Sequence, residues 1–431
     1  MKKVSLGLLG CGTVGGGVVQ LLHQNAKYLA ERVGAPLEVT HVLVRDPDKE
    51  RVPELPRTSL TTDPERVLGD PSIDVFVEVM GGEQPAHDYV KRAIDSGRGV
   101  VTANKMLLAL HGPSLVDRAI ERGVDLAFEG SVGGGIPVIR VLREALASDW
   151  VTSLRGIVNG TCNFVLTRMR QDGKTFDDAL REAQALGYAE ADPSLDVDGH
   201  DAAHKLCVLA MLAFGARVDH ARVPTEGIRR IEPVDHAFAD RFGYVIKHLA
   251  IGRDLGEAIE LRVHPALVPK DQAIANVGGV LNAIALEGRA LGPCLLSGRG
   301  AGDMPTAVSV VADVLDVARA KRNGTAGLMT RGIQLSERAV ASQDDVETAF
   351  YLRFEVFDRP GVLASITGAL GDAHVSIQQL VQQGGGDASG APVQVVMMPH
   401  TARERDLRTA LAKVAGGEFI ARPPHVLRVV E

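Results

Sequence analysis

"VSLGLLGCGTVGGGVVQLLHQ", residues 4–24, is the stretch from which the architecture of the N-terminal part follows. Residues 4–9 form an apolar run with the length of a short buried strand, and a helical pattern comes after it. Between the two, Gly10, Gly12 and Gly15 make the pattern G-x-G-x-x-G. Glycines at this spacing permit a tight turn, a close approach to a pyrophosphate and close packing of the helix on the strand. The stretch therefore predicts a dinucleotide-binding turn, with the helix N-terminus facing the anion.

Strand-like and helical patterns alternate through the rest of the N-terminal part. The strand-like runs are residues 37–46, 74–82, 99–105 and 124–135. Such alternation is typical of a doubly wound parallel sheet with helices on both faces. We therefore expect an α/β fold of the Rossmann type over residues 1–140, completed by a helix at about 303–320.

The pattern changes after Trp150. Residues 141–302 mix strand-like runs, glycine turns and a long apolar helix, which predicts a second domain of mixed α+β type. Residues 321–347 are polar and irregular, so we expect a linker there. The remaining residues, 348–431, have the length of a small independent domain.

The composition excludes several classes of protein. The formal net charge of the 431 residues is -7, so the chain has no basic footprint for nucleic acid. The four cysteines are scattered, which argues against a zinc site or a disulfide framework and favours a reducing cytoplasm. No apolar run reaches the roughly 18 residues that a membrane span needs. We therefore expect a cytoplasmic protein that partners neither nucleic acid nor membrane.

The end of the second predicted strand bears on the choice of cofactor. A carboxylate there, such as that of Asp46, would hold the 2′-hydroxyl of an NAD ribose. Arg45 could instead clamp the 2′-phosphate of NADP through a charge-assisted hydrogen bond. The two residues are adjacent, so both interpretations stay open. We favour NADP, with NAD as a second cofactor.

"AEADPSLDVDGHDAAHKL", residues 189–206, places five carboxylates ahead of Lys205. A calcium loop is excluded, because Lys205 occupies the position that must supply a bidentate glutamate. A surface ion pair between Asp201 and Lys205 is the simplest alternative, and it would contribute only about 0.2–0.5 kcal/mol. The flanking helix is strongly apolar, however, which predicts that both residues share one face near a buried boundary. A lysine there could move the proton of a substrate hydroxyl, while spare carboxylates bind a substrate ammonium.

The pattern A-x3-G-Y-x3-D-P-x2-D-V-x-G-x-D-x3-K, residues 183–205, resembles the signature of the homoserine dehydrogenases. The resemblance covers about residues 4–320 and includes "TANK" (102–105), "EGSVGGGIP" (129–137), "NGTCNF" (159–164) and "GRGAGDMPTA" (298–307). It implies the NAD(P)-dependent interconversion of L-homoserine and L-aspartate 4-semialdehyde, in the biosynthesis of threonine, methionine and isoleucine. It also implies that the second domain binds the substrate and forms the contacts of a homodimer or homotetramer. Another dehydrogenase of a small amino or keto acid, or a non-catalytic amino-acid sensor, is the alternative. Retention of both Lys105 and Lys205 argues against a sensor.

The same resemblance implies roles for individual residues. Lys205 matches the lysine that gives and takes the proton at the substrate oxygen, and Lys105 matches a second lysine near the nicotinamide. The residues implied for substrate binding are Glu190, Asp201, Asp196 and Tyr188. The residues implied for cofactor binding, besides Lys105 and the three glycines of the turn, are Thr13, Val14, Gly187 and Gly302. A monovalent cation, usually sodium, is implied for Glu129 and the backbone carbonyls of Val132, Gly134 and Ile136. A plain turn is the alternative there.

"RFEVFDRPGVLASITGALGDAHVSIQQLVQQ", residues 353–383, is similar to an ACT domain, a βαββαβ ligand-binding module. This resemblance implies feedback control by an amino-acid effector, for which we predict L-threonine. The turn Asp358–Leu363 comes before the first helix of the unit, and its amides suit a ligand carboxylate. A unit that only dimerises is the alternative, and the sequence leaves both open.

Overall fold

The structure, a computed structural model, describes residues 3–384 and 391–430. The strands of the N-terminal sheet are β1 (Val4–Leu9), β2 (Leu37–Leu43), β3 (Leu60–Thr61), β4 (Val75–Glu78), β5 (Gly99–Thr102) and β6 (Leu126–Ala127). The helices are α1 (Thr13–Gln24), α2 (Ala26–Val33), α3 (Pro64–Leu68), α4 (Ala86–Asp95) and α5 (Lys105–Arg122). The strands pair in parallel in the order β3-β2-β1-β4-β5-β6, which confirms the Rossmann-type prediction. The order reverses between β1 and β4, and sheets of this kind bind ligands at the carboxyl ends of such strands.

The second part of the chain, residues 141–302, is called the substrate domain below, after the role that the family resemblance implies for it. The strands here are β7 (Val151–Ile157), β8 (Ala216–Arg217), β9 (Tyr244–Asp254), β10 (Ala258–Pro269), β11 (Leu281–Gly288) and β12 (Gly292–Arg299). The helices before and within it are α6 (Val138–Arg140), α7 (Gly160–Asp172), α8 (Phe176–Ala185), α9 (Ser194–Val197), α10 (His200–Ala213) and α11 (Pro233–Arg241). The next helix, α12 (Asp303–Arg322), returns to the N-terminal sheet, where its Val310 and Val314 share a core with Val18 of α1.

Residues 348–431 are called the C-terminal unit. The elements before it are α13 (Leu328–Arg331), β13 (Ser336–Glu337), β14 (Ala339–Val340) and β15 (Glu347–Thr348). Its own elements are β16 (Phe350–Phe357), α14 (Val362–Asp372), β17 (Ile377–Gln383), β18 (Pro392–Pro399), β19 (Ala402–Arg403), α15 (Glu404–Val414) and β20 (Ile420–Val429). Apart from the two-residue β19, the order is βαββαβ, as the ACT resemblance implies.

One sheet runs through the substrate domain and the C-terminal unit. Its order is β12-β11-β7-β9-β10-β20-β16-β18-β17, with β14 beside β10. The two parts join where β10 and β20 pair in parallel, with Ala266 opposite Arg428 and Leu267 opposite Val429. Residues 321–347, where we expect a linker, carry β13 and β14, which pair with β8 and β10. Backbone pairing of this kind leaves no side-chain pattern in the sequence, which is why the expectation of an independent unit misses it.

A buried polar cluster reinforces this junction. Asp235, on α11, is wholly buried. Its carboxylate accepts hydrogen bonds from the Tyr351 hydroxyl at 2.9 Å and from Nε and Nη2 of Arg353 at 2.7 and 3.2 Å. Nη1 of Arg353 lies 3.1 Å from Glu232. Because Tyr351 and Arg353 belong to β16, the cluster ties the C-terminal unit to the substrate domain.

Besides the strands in the expected linker, two further elements differ from those expected. The fifth strand, expected over 124–135, is only the two residues of β6, because the glycines of that stretch turn the chain into a short helical loop. The long strand β9 is not among the predicted elements, and its burial on nearly every residue explains the lack of an alternating pattern. No helix in the described part of the chain is long and apolar enough to cross a membrane.

Candidate active site

The glycine turn lies at the switch point between β1 and β4. Gly10 directly follows β1 and has φ +100°, a backbone conformation that favours glycine. A Cβ atom on Gly15 would lie 2.7 Å from the carbonyl oxygen of Gly10, so the close passage of helix over turn requires glycine. A Cβ on Gly12 would meet nothing within 4 Å. The helix α1 begins at Thr13, followed by Val14, and no side chain in the described part of the chain caps its N-terminus, which suits it to a phosphate.

The residues after β2 differ in how they are engaged. The carboxylate of Asp46 accepts a hydrogen bond from the amide of Asp48 at 2.9 Å, which orders the loop. Arg45 is exposed, and among the described residues its guanidinium forms no hydrogen bond or ion pair. Of these two adjacent residues, Arg45 is therefore the one whose side-chain charge is not engaged by another described residue.

Two lysines converge on one buried carboxylate. Asn104 caps α5 by accepting a hydrogen bond from the amide of Leu107, which puts Lys105 at the first position of the helix. The Nζ atom of Lys105 lies 3.0 Å from Oδ1 of Asp201. Lys205 comes one helical turn after Asp201 in α10, and its Nζ lies 2.7 Å from Oδ2. The sequence prediction that Asp201 and Lys205 share a buried face agrees with this geometry, and Lys105 joins them from the other domain.

Asn159 and the carbonyl of Val158 complete the cluster. No sequence pattern predicted a role for either residue. The side-chain amide nitrogen of Asn159, Nδ2, donates to the carboxylates of Asp196 at 2.7 Å and Asp201 at 2.9 Å. The Val158 carbonyl accepts from Lys205 at 2.7 Å. The signal that could have found Asn159 is its position, since it lies two residues after the end of β7, caps α7 and opens "NGTCNF".

The electrostatics of the cluster follow from this arrangement. Burial disfavours the ionised form of Asp201, but the ammonium groups of Lys205 and Lys105 outweigh it and hold the pKa of this carboxyl well below its ordinary value. The Asp201 carboxylate in turn raises the pKa of Lys105, against the opposing effect of burial. Asp196 behaves in the opposite way, because burial and then the charge of Asp201 raise its pKa.

The remaining predicted residues surround the cluster. Tyr188 is exposed and packs its ring 5.1 Å from that of Phe164. Glu190 is also exposed, and its charge contributes to the raised pKa of Lys105. Gly187 has φ +76° with open space around it, and Gly302 has φ +121° at the start of α12. We find no direct contact that ties these two glycines to the lysines.

Glu129 lies apart, in a buried turn between β6 and α6. Its two carboxylate oxygens accept from the amides of Ile139 and Arg140, both at 2.9 Å. Burial, followed by the nearby Asp313 carboxylate, raises the pKa of Glu129 to about 7. The carbonyl of Gly134 accepts from the Ser309 hydroxyl at 2.7 Å.

The neighbouring carbonyl of Ile136 accepts from the amide of Val138 at 2.8 Å. These oxygens are the ligand type of a hard cation, and each keeps a lone pair beyond its hydrogen bond. Within residues 3–384 and 391–430, no group of three or more His, Cys, Asp or Glu side chains is arranged to hold a metal ion.

Comparison with known families divides the chain as the structure does. The profile described as "Homoserine dehydrogenase, NAD binding domain" matches residues 10–129. That described as "Homoserine dehydrogenase" matches residues 137–315, and the "ACT domain" profile matches residues 350–416.

Individual proteins match along the whole chain. A homoserine dehydrogenase of Pseudomonas aeruginosa is 43% identical over 433 residues, which cover 100% of this chain and 99% of that protein. The crystal structure of a homoserine dehydrogenase from Thiobacillus denitrificans is 42% identical, with a TM-score of 0.93 and coverage of 100% of this chain and 99% of that chain. A hyperthermophilic archaeal homoserine dehydrogenase in complex with NADPH is 26% identical, with a TM-score of 0.61, and covers 73% of this chain and 98% of that chain. Likeness of this extent, together with the two lysines of the signature converging on Asp201, means that the chain belongs to the homoserine dehydrogenase family.

Proposed function

We propose that the chain interconverts L-homoserine and L-aspartate 4-semialdehyde with NADP, and that the reaction takes place beside Asp201. Membership of the family supports the reaction. The observation that carries the location is the pair of lysines, held 3.0 and 2.7 Å from the two oxygens of one buried carboxylate. When bound, a nicotinamide cofactor supplies or accepts the hydride.

Lys205 is the residue to which we assign proton transfer. An ammonium group has three donors. Two of them are used inside the protein, on Asp201 and on the Val158 carbonyl, both at 2.7 Å. The third remains for the substrate oxygen, which gains a proton when the aldehyde is reduced and loses one when the alcohol is oxidised. Lys105 is more open, with 38% of its side chain exposed, and we assign it to orienting the reacting carbon beside the nicotinamide.

Asp196 and Glu190 are the carboxylates that we assign to the substrate ammonium, with Tyr188 at the rim. Asp201 is already shared by two lysines and Asn159, so its role is to hold them. Asp196 accepts from Asn159 and from the Thr161 hydroxyl, but within the described residues no cation lies at ion-pair distance from it. A substrate ammonium would supply that missing charge.

For the cofactor, the supporting observations are the glycine turn and the free guanidinium of Arg45. A guanidinium holds a phosphate through paired hydrogen bonds, so Arg45 favours the 2′-phosphate of NADP. The archaeal relative is described in complex with NADPH, which agrees with this choice. Lys105, Gly187 and Gly302 remain predicted contacts of the cofactor, and NAD remains a second cofactor.

Four further proposals extend this assignment. Sodium at Glu129 is supported by the carboxylate and carbonyl oxygens there. Feedback control by L-threonine is supported by the ACT match, and a homodimer or homotetramer by the resemblance alone. A cytoplasmic location is supported by the four cysteines, all of which are free thiols.

The test of the proposed reaction is the loss of NADPH absorbance on addition of L-aspartate 4-semialdehyde to the purified protein. We expect turnover, with NADH as the slower cofactor. If neither cofactor were consumed, or if another small aldehyde or keto acid were strongly preferred, the proposed reaction would be wrong.

A further inference from the structure

A cavity of about 500 Å³ lies where the C-terminal unit meets the substrate domain. One wall comes from Asp198 and residues 226, 227, 229 and 230, and the other from α15 and β20. Four guanidinium groups and three carboxylates line it, beside an apolar floor that includes Leu407 and Leu427. Its size falls in the range of small-molecule sites, which is about 300–1,000 Å³.

One of the guanidinium groups that line this cavity has no ion-pair partner among the described residues. Three of the four arginines form ion pairs with carboxylates. Arg230 forms none with any residue that the structure describes, and its one hydrogen bond goes to the carbonyl of Pro424, at 3.1 Å. Among the described residues, the Glu226 carboxylate forms ion pairs with Arg428 alone, through both oxygens, and its side chain is 46% exposed, so each oxygen can accept a further hydrogen bond. The cavity thus presents an unpaired cation and an accessible anion.

A second polar group in the cavity lacks a partner. His425 lines the cavity, and only 9% of its side chain is exposed. Its Nε2 atom has no hydrogen-bond partner in the described part of the chain. The nearest carboxylate oxygen, on Asp235, is 3.9 Å away. Buried polar atoms without partners are uncommon. This atom is closed to solvent and faces the buried Asp235 carboxylate, so it belongs to the Asp235 cluster rather than to the surface that a ligand in the cavity would touch.

The same cavity wall is attached to the acidic loop, residues 189–201, of the active site. The amide of Ile228 donates to the carbonyl of Val197 at 2.9 Å. Arg229 holds the Asp198 carboxylate with Nε at 2.5 Å and Nη2 at 3.0 Å. Val197 and Asp198 lie between Asp196 and Asp201, so a displacement of this wall reaches both active-site carboxylates.

The turn before α14 offers a second cavity, of about 440 Å³, and it differs in this respect. Every residue that lines it lies between 356 and 395 in the C-terminal unit. A ligand there would touch no residue of the substrate domain within this chain. The cavity at the junction is therefore the one from which a ligand acts directly on the acidic loop.

We infer that the junction cavity binds a small α-amino acid, with its carboxylate on Arg230 and its ammonium on Glu226, and that this ligand regulates the acidic loop. The apolar floor suits a short aliphatic side chain. The inference rests on the proposed regulation by an amino acid and names where that amino acid binds.

The test uses the full chain with Arg230→Ala and Arg230→Gln, and with Arg241→Ala as the control. Arg241 is an exposed arginine at the end of α11 and does not line the cavity. The probes are L-threonine, L-isoleucine and L-methionine, with calorimetric affinity and the half-inhibiting concentration measured against each variant's own uninhibited rate. We expect both Arg230 variants to bind the active probe at least about tenfold more weakly, as for the loss of one charge-assisted hydrogen bond. We expect the control to match wild type.

Wild-type affinity in both Arg230 variants, or binding of none of the three probes to the wild-type protein, would overturn the inference. A loss of affinity in Gly361→Asp with full affinity in the Arg230 variants would move the site to the turn before α14. Arg230-dependent binding in a protein without dehydrogenase turnover would instead leave this site standing and refute the proposed reaction.

Discussion

Asp201 and Asp235 are two buried aspartates with similar surroundings and different uses. Their exposures are 2% and 0%, and each accepts hydrogen bonds from a cationic side chain. The partners of Asp201 are Lys105 and Lys205, which come from two different helices. The partners of Asp235 are Arg353 and the hydroxyl of Tyr351, both from β16.

The two clusters differ in how many hydrogen-bond donors of their cationic side chains remain unused. Arg353 uses Nε and Nη2 on Asp235 and Nη1 on Glu232, and it is only 6% exposed. A guanidinium also keeps its proton at any ordinary pH, whereas an ammonium on a lysine can lose it. The ammonium group of Lys205 retains one unused hydrogen-bond donor, and 38% of the Lys105 side chain is exposed. We therefore expect the closed ion pair at Asp235 to serve assembly, and the open pair at Asp201, whose lysine keeps a free proton, to serve the proposed chemistry.

The largest expected effect comes from removing that proton. Lys205→Ala should reduce turnover about 10²–10⁴-fold, because general acid–base groups contribute that much. Cofactor affinity should stay close to wild type, since no contact of the glycine turn is lost. Steady-state turnover with L-aspartate 4-semialdehyde and fluorescence titration of NADPH give the two readouts. Lys270→Ala, at an exposed lysine paired with Asp240, is the control. A variant that kept more than roughly a tenth of wild-type turnover would end the proton-transfer role.

The closed cluster should respond in stability instead. Arg353→Met leaves the Asp235 carboxylate buried without its cation, which should lower the free energy of unfolding by about 3–5 kcal/mol. Arg422→Ala, at a 59% exposed arginine on Glu232, should cost less than about 1 kcal/mol. Urea denaturation measures both variants. If Arg353→Met unfolded at the wild-type urea concentration, the junction would not depend on this cluster.

Asp196 tests whether the open cluster has room for a charged substrate. Asp196→Asn should raise the KM for L-homoserine by about 10–100-fold, as expected for a charge-assisted hydrogen bond of about 1.5–3 kcal/mol. Because burial raises the pKa of Asp196, the wild-type carboxyl takes up a proton at a higher pH than an ordinary aspartate. The wild-type KM should therefore rise as pH falls through that raised pKa, and this part of the pH dependence should be missing from the variant. Parallel pH profiles for the two proteins would contradict the assignment.

The smallest effect is expected at Arg45, which is exposed and contacts neither cluster. Arg45→Ala should raise the KM for NADPH by a few-fold to about tenfold, as for a partly exposed phosphate contact, and should leave the KM for NADH unchanged. Arg66→Ala, at an exposed arginine of α3 in the same domain, is the control. Equal shifts for both cofactors would refute a contact with the 2′-phosphate.

The sequence predicted the elements whose signal is local. The glycine pattern and the alternation of elements identify the N-terminal fold, and the spacing of Asp201 and Lys205 places them on one helical face. Lys105 required the family resemblance, since it lies 96 positions from Asp201 and no local pattern joins them.

Contacts between residues that are distant in the chain could not be predicted from the sequence, for the same reason. Asn159, the Arg353–Asp235 pair and the parallel pairing of β10 with β20 all join distant segments. That pairing also changes how regulation should be tested. A chain cut near residue 345 would expose the edge of β10 and leave Asp235 without its cation, so point variants are the sharper experiment.

The most direct test of the division between the two clusters compares Asp201→Asn with Asp235→Asn, which make the same small change in each. The measurement is the turnover number with saturating NADPH and L-aspartate 4-semialdehyde, normalised to the folded fraction. We predict a loss of about 10²-fold or more for Asp201→Asn, because the lysines lose the charge that holds them, and near wild-type turnover for folded Asp235→Asn. Equal losses of turnover in the two variants would contradict the account.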